Sequence, residues 1–235
     1  MREYPDVTAS GLSAADHFRL YGFFEGRNPN ALFVTDWYRH VYGIPHGVNC
    51  LQHYLTSGHL VGNEPSIFFD TEWYRNQPAS ALAEGSALEH YWLQGWKACV
   101  DPHPLFDAVW YLAQRPNGFD VGSVPYAHFL SFGVQQGLSP SPLFDPNTYL
   151  SLNADVAEAR AEAFTHFLSW GLHEGRTTSE LVDSDYYKAQ YPDDLLVHKW
   201  GSQAHFARFG CSENRRISPD PLANRIMMFV AERAR

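Results

Sequence analysis

The stretch His166-Phe167-Leu168-Ser169-Trp170-Gly171-Leu172-His173-Glu174-Gly175-Arg176 decides how this chain is read. It returns as His17-Phe18-Arg19-Leu20-Tyr21-Gly22-Phe23-Phe24-Glu25-Gly26-Arg27, and in weaker form at four further places. The opening histidines are His17, His53, His90, His128, His166 and His205, at intervals of 36, 37, 38, 38 and 39 residues. Five residues after each stands a glycine: Gly22, Gly58, Gly95, Gly133, Gly171 and Gly210. A second marker runs between them, in Leu32-Phe33-Val34-Thr35-Asp36-Trp37-Tyr38, Phe68-Phe69-Asp70-Thr71-Glu72-Trp73-Tyr74, Leu105-Phe106-Asp107-Ala108-Val109-Trp110-Tyr111, Leu143-Phe144-Asp145-Pro146-Asn147-Thr148-Tyr149 and Leu181-Val182-Asp183-Ser184-Asp185-Tyr186-Tyr187. Two markers that keep one drifting period read as a tandem array.

Each marker carries helix punctuation. Asp70, Asp107, Asp145 and Asp183 sit where an N-cap carboxylate accepts orphan backbone N–H groups, and Pro146 follows at a first helical position. This leading helix is short, ending near Pro78, Pro116 or Pro192. Ser86-Ala87-Leu88-Glu89 and Asn49-Cys50-Leu51-Gln52 read as capping boxes that open a trailing helix. The glycine five residues after the histidine is expected to close it in the left-handed conformation. A second glycine (Gly26, Gly62, Gly137, Gly175) closes a further turn. On the trailing helix Leu51, Tyr54, Leu55 and Gly58 share one face. The histidine lies opposite, on a stripe with the residue four later: Tyr21, Phe132, Trp170 or Phe209. A helix apolar on two sides is expected to be buried on two sides.

The fold class is therefore all-α, a solenoid of about five two-helix repeats with a period of 36–39 residues. Residues 1–235 form one elongated domain, with full repeats at 31–66, 67–103, 104–141, 142–179 and 180–219. Residues 1–30 supply half a repeat. Residues 220–235 are a divergent cap or the lead into a further domain, with Asn224 expected to cap the last helix. Because Tyr4-Pro5-Asp6-Val7 reads like the middle of a repeat, the chain is expected to be cut from a larger protein.

Composition narrows the function classes. Lys and Arg total 17 against 26 Asp and Glu, a net charge of −9, a poor match to nucleic acid or an anionic membrane surface. No apolar run approaches the roughly 18 residues of a membrane helix, and Met1-Arg2-Glu3-Tyr4-Pro5-Asp6 lacks a signal-peptide core. Cys50, Cys99 and Cys211 form no C-x-x-C pair and leave at least one thiol single. A cytoplasmic setting is favoured, with cell-surface association open.

Periodic histidines invite a metal reading, but one per repeat at roughly 10 Å helix spacing is too sparse to share an ion at about 2 Å per ligand. Each ring is instead expected to pack between repeats with one nitrogen bonded to a backbone carbonyl. The capping aspartates have a sufficient task as caps. No G-x-S-x-G, P-loop, G-x-G-x-x-G, H-E-x-x-H or EF-hand pattern is present. No catalytic residue, metal or cofactor is expected. One member of each Trp37-Tyr38, Trp73-Tyr74 and Trp110-Tyr111 pair belongs in the core. Residues that break the pattern are the better candidates for binding a partner: Trp96, Lys97, Lys199 and Trp200, with Arg27, Glu174, Arg176, Arg215 and Arg216 in the turns. Those arginines have ready partners in Glu25, Glu174 and Glu213.

Phe144-Asp145 through Tyr149-Leu150, Asn153-Ala154-Asp155-Val156, then His166 to Arg176 resemble a bacterial repeat with consensus near F-D-x-x-Y-L-x-x-N-P-D-V and H-Y-L-x-x-G-x-x-E-G-R-x-P. Similar arrays occur beside glycosyltransferase domains in surface-polysaccharide systems and in large secreted calcium-binding repeat proteins. The resemblance implies an accessory role near glycan assembly or the cell surface. Val61-Gly62-Asn63, Ala98-Cys99-Val100 and Gln136-Gly137-Leu138 depart from its Glu-Gly-Arg turn. The leading expectation is a non-enzymatic interaction or scaffold module for a protein or glycan partner. The alternatives are an acceptor platform within a sugar-transfer enzyme, and a structural spacer or self-associating array.

Overall fold

The computed structural model describes residues 4–78, 85–114, 116–120 and 122–233, without the side chains of residues 195, 198, 199 and 229–233. Among these residues the chain is helical with no strand, and strand-like pairing is limited to isolated bridges at Asn30–Phe33 and Ser141–Phe144. No described helix is long and apolar enough to cross a membrane.

The leading helices are Thr35–Tyr42, Thr71–Arg75, Ala108–Ala113, Pro146–Leu152 and Ser184–Gln190. Asp70, Asp107, Asp145 and Asp183 cap the last four by accepting from the backbone N–H of Trp73, Trp110, Thr148 and Tyr186, each cap contributing about 1 kcal/mol. Their own N–H groups reach forward. Asp70 donates to the Pro102 carbonyl, Asp107 to Pro140, Asp145 to Thr178 and Asp183 to Ile217, at 2.9–3.0 Å. Each cap thus ties its helix to the segment that opens the next block.

That opening segment is a tight turn. The N–H groups of Leu32, Phe68, Leu105, Leu143 and Leu181 donate to side chains two residues back: Asn30, Ser66, His103, Ser141 and Ser179. His103 stands where the other blocks place asparagine or serine. Its Nδ1 must be unprotonated to accept from Leu105, and burial pushes its pKa down to about 3.

The core is a file of aromatic clusters, such as Phe33 with Tyr38 and Tyr54, or Phe144 with Tyr149 and Phe167, with ring centroids 5.2–6.0 Å apart. Of each Trp-Tyr pair the tyrosine is the core member: Tyr38, Tyr74 and Tyr111 are fully buried. Their hydroxyls, and those of Tyr149 and Tyr187, bond Nδ1 of His53, His90, His128, His166 and His205 at 2.5–3.0 Å. On Nδ1 the tyrosine takes the place of the expected backbone-carbonyl partner, while at His128 the backbone of Asn117 and Gly118 also bears on the ring. A buried tyrosine offers a hydroxyl inside the same block, so the imidazole needs no neighbour's carbonyl. Burial raises the tyrosine pKa values, that of Tyr149 to about 12. At Tyr38 the Asn63 amide donates to the hydroxyl, which leaves the phenolic proton for His53.

The glycine after the histidine has a different task from the one expected. Gly58, Gly95, Gly133, Gly171 and Gly210 are not in the left-handed region; they make room for the tyrosine. A Cβ at Gly171 would stand 2.5 Å from the Tyr149 hydroxyl and 2.8 Å from the Phe167 ring, and at Gly133 it would stand 2.6 Å from the Tyr111 hydroxyl. The left-handed position falls four residues later, at Gly26, Gly62, Gly137 and Gly175, and Cys99 and Asn214 adopt it too, with φ of 54° and 55°. The next N–H then returns to the earlier glycine's carbonyl, as Arg176 does to Gly171 at 2.9 Å, closing the turn.

The trailing helices are Cys50–Thr56, Ala87–Leu93, Pro125–His128, Ala163–His166 and Ser202–His205. Three of them, and Ala14–His17, widen into π turns at Phe129–Gly133, Phe167–Gly171, Phe206–Gly210 and Phe18–Gly22. There a phenylalanine follows the histidine and its ring lies against the glycine. Where Tyr54 or Tyr91 follows instead, the helix breaks and resumes as a 3₁₀ turn, Gly58–Val61 or Gly95–Ala98.

The final helix, Pro221–Arg233, starts earlier than expected. Asp220 accepts from the Leu222 N–H and Pro221 takes the first position, while Asn224 accepts from the N–H groups of Ile217 and Ser218. Ala223 and Met227 are buried, as a covering helix requires.

Distant blocks also meet. Tyr4 and His17 share a cleft with Trp92 and Ser131, Trp37 and Asp70 with Leu172 and Trp200, and Trp73 and Phe106 with Phe206 and Met227. Each of these clefts brings together residues from blocks two or more places apart.

Candidate functional site

The turn arginines are locked. Arg27 forks onto Asp6 at 2.6 and 2.9 Å and holds Glu25, while Arg176 forks onto Asp155 at 2.8 and 2.9 Å and holds Glu174. Arg215 bonds Asp194 at 2.7 Å and Glu213 at 2.5 Å. The glutamate partners are those expected. The aspartates are a second set that the turn alone did not reveal. Arg27 also lies over the Tyr4 ring and Arg215 over Tyr191. Hydrogen bonds from Arg27 and Arg176 hold the carboxyls of Asp6 and Asp155 below the usual carboxylate range. Forked, stacked arginines set a turn and have few donors left for a partner. Arg216 is different: its side chain is exposed and its backbone N–H bonds the Tyr191 hydroxyl.

Trp96 and Lys97 stand together on the Gly95–Ala98 turn. Trp96 is half-buried, its Nε1 donates to the Trp92 carbonyl at 3.2 Å, and the Lys97 ammonium lies 5.5 Å from its ring centre. Lys199 has its backbone in the helix Leu195–Trp200, but its side chain lies outside the described residues.

Trp200 belongs to a seam. The Arg208 guanidinium stacks on its ring at 3.8 Å and pairs with Asp70. The Arg208 side chain is only 3% exposed, and burial lowers its pKa to about 10. Beside it a cleft of about 310 Å³ runs between Trp37 and Trp200, edged by Glu64, Asp70 and His173. Burial raises the Glu64 pKa, opposed by hydrogen bonds from Thr71. Sequence reasoning missed Arg208. Its signal was positional: three residues after the histidine the six copies read Leu20, Thr56, Leu93, Ser131, Ser169 and Arg208, so one copy alone is charged.

The largest correction concerns the stripe shared by the histidine and the residue four later. Trp170 is 58% exposed, Tyr21 52% and Phe132 38%, so the outer side of the trailing helix faces solvent. Each ring lies against its own histidine, with centroids 5.4 Å apart for His166–Trp170 and His17–Tyr21 and 5.2 Å for His128–Phe132. His128 and His166 are held from within by tyrosine, His17 has Asp6 at 3.7 Å, and each carries an exposed aromatic ring on its outer edge. Among the described residues no group of three or more His, Cys, Asp or Glu side chains is placed to hold a metal ion. No family model matches the chain, and neither does a characterised protein or a solved structure.

Proposed function

We propose that this chain is a non-enzymatic interaction or scaffold module, a solenoid of about five two-helix repeats that offers its outer face to a protein or glycan partner. The setting that best fits the motif is a glycosyltransferase or surface-polysaccharide system. The observation that supports the reading is the exposed set Tyr21, Phe132 and Trp170, one ring to a block, each braced by a histidine. Large rings kept in water are informative where small polar residues would serve folding as well. A braced ring also loses little freedom when a sugar face or an apolar side chain stacks on it.

The test is titration of the whole chain with surface-type oligosaccharides, read by tryptophan fluorescence and calorimetry. Trp170→Ala with Phe132→Ser is expected to weaken binding at least tenfold, while each exposed change alters stability by no more than about 0.5 kcal/mol. A flat titration with the unaltered chain would remove the glycan partner from the reading.

A further inference from the structure

Arg208 also borders a second pocket, distinct from the Trp37–Trp200 cleft. This cavity of about 160 Å³ has apolar walls from Phe106, Leu143 and Phe206. Asp101, Asp107, Trp73 and Arg208 are among its polar residues, with Ser141 and Ser212. A dry cavity of about 150 Å³ holds one benzene ring, so the space matches a single six-membered ring.

The polar groups define what ring that is. Arg208 Nε and Trp73 Nε1 are buried and have no hydrogen-bond partner among the described residues, a rare and costly state for donors. The same pocket is lined by two carboxyl groups, each with one backbone N–H accounted for: Ala108 donates to Asp101 and Trp110 to Asp107. An apolar ring would answer none of these groups. An anion has acceptors only and would face the Asp107 carboxyl group, while an ammonium has donors only and would leave Arg208 Nε and Trp73 Nε1 unanswered. A hydroxyl donates and accepts at once, so a neutral ring bearing hydroxyls suits donors and carboxyls together. Few convergent polar groups on apolar walls are the usual make-up of a small-molecule site.

We propose that the cavity between Asp101, Asp107 and Arg208 binds one neutral, hydroxylated six-membered ring. Pyranoses, cyclitols and phenols share that chemistry. The site is separate from the outer aromatic face and stands whether or not that face binds glycan.

The experiment is ligand-observed NMR with thermal melting on the whole chain, using glucose, galactose, myo-inositol and phenol at millimolar concentration. Benzene, gluconate and cyclohexylamine serve as apolar, anionic and cationic comparisons. At least one neutral hydroxylated ring is expected to bind saturably and raise the melting temperature, and whichever binds assigns the source. Trp73→Phe removes one unpaired donor, and Asp107→Asn removes a carboxylate while leaving a residue that still caps. Each should weaken that binding about tenfold, the loss of one hydrogen bond to a polar ligand. Absence of binding by all four hydroxylated rings, or equal binding of any comparison compound, overturns the proposal. Unchanged affinity in both variants overturns it as well.

Discussion

Gly171→Ala is expected to destabilise the protein by about 3 kcal/mol, although alanine is the better helix former by about 1 kcal/mol. The added methyl would stand 2.5 Å from the Tyr149 hydroxyl and 2.8 Å from the Phe167 ring. Neither can withdraw cheaply. Tyr149 is tied to His166 at 2.8 Å, and Phe167 packs on Phe144 with centroids 5.2 Å apart. Overpacking of this kind costs about 1–3 kcal/mol, and a displaced hydroxyl forfeits about 1 kcal/mol more. Urea denaturation measures the loss. Tyr149→Phe in the same chain should recover part of it, because removing the hydroxyl frees the space the methyl needs. A neutral or stabilising Gly171→Ala, as helix propensity alone requires, would contradict the interlock of tyrosine, histidine and glycine.

Arg208→Ala is expected to cost about 3–5 kcal/mol, the usual penalty for stripping one partner from a buried ion pair. The side chain is 3% exposed, stacks on Trp200 and leaves Asp70 behind when removed. Lysine should not restore the loss, since it has no planar face for the indole. Arg208→Met with Asp70→Asn should restore most of it: asparagine still caps the helix at Trp73, and neither residue then leaves a buried charge alone. A cost below about 1 kcal/mol for Arg208→Ala, the range of an exposed pair, would mean that the seam is peripheral to folding.

The helical class and its punctuation were legible because they are local. Aspartate caps, the Ser86–Glu89 capping box and the presence of one core member in each Trp-Tyr pair follow from spacing and side-chain chemistry within one block; which member it is does not. The role of Gly171 and its equivalents was misread for a specific reason. A glycine after a helix has two uses, a left-handed turn or a close approach, and only the neighbour across the block decides between them. The exposed side of Trp170 was misread similarly, since an apolar residue beside a histidine looks like core until the direction of packing is known. Arg208 is the opposite case. Its departure from the pattern was visible, but its partner Asp70 belongs to a block three places away, and no periodicity points there.

The account rests most on the claim that the recurring histidine is a structural partner of the recurring tyrosine, which leaves function to the exposed rings and the seam. A double-mutant cycle of Tyr149→Phe and His166→Ala, measured by urea denaturation, tests it directly. The predicted coupling is about 1 kcal/mol, the net worth of a side-chain hydrogen bond, with each single variant less stable than the parent chain. Additive losses with no coupling would contradict the account.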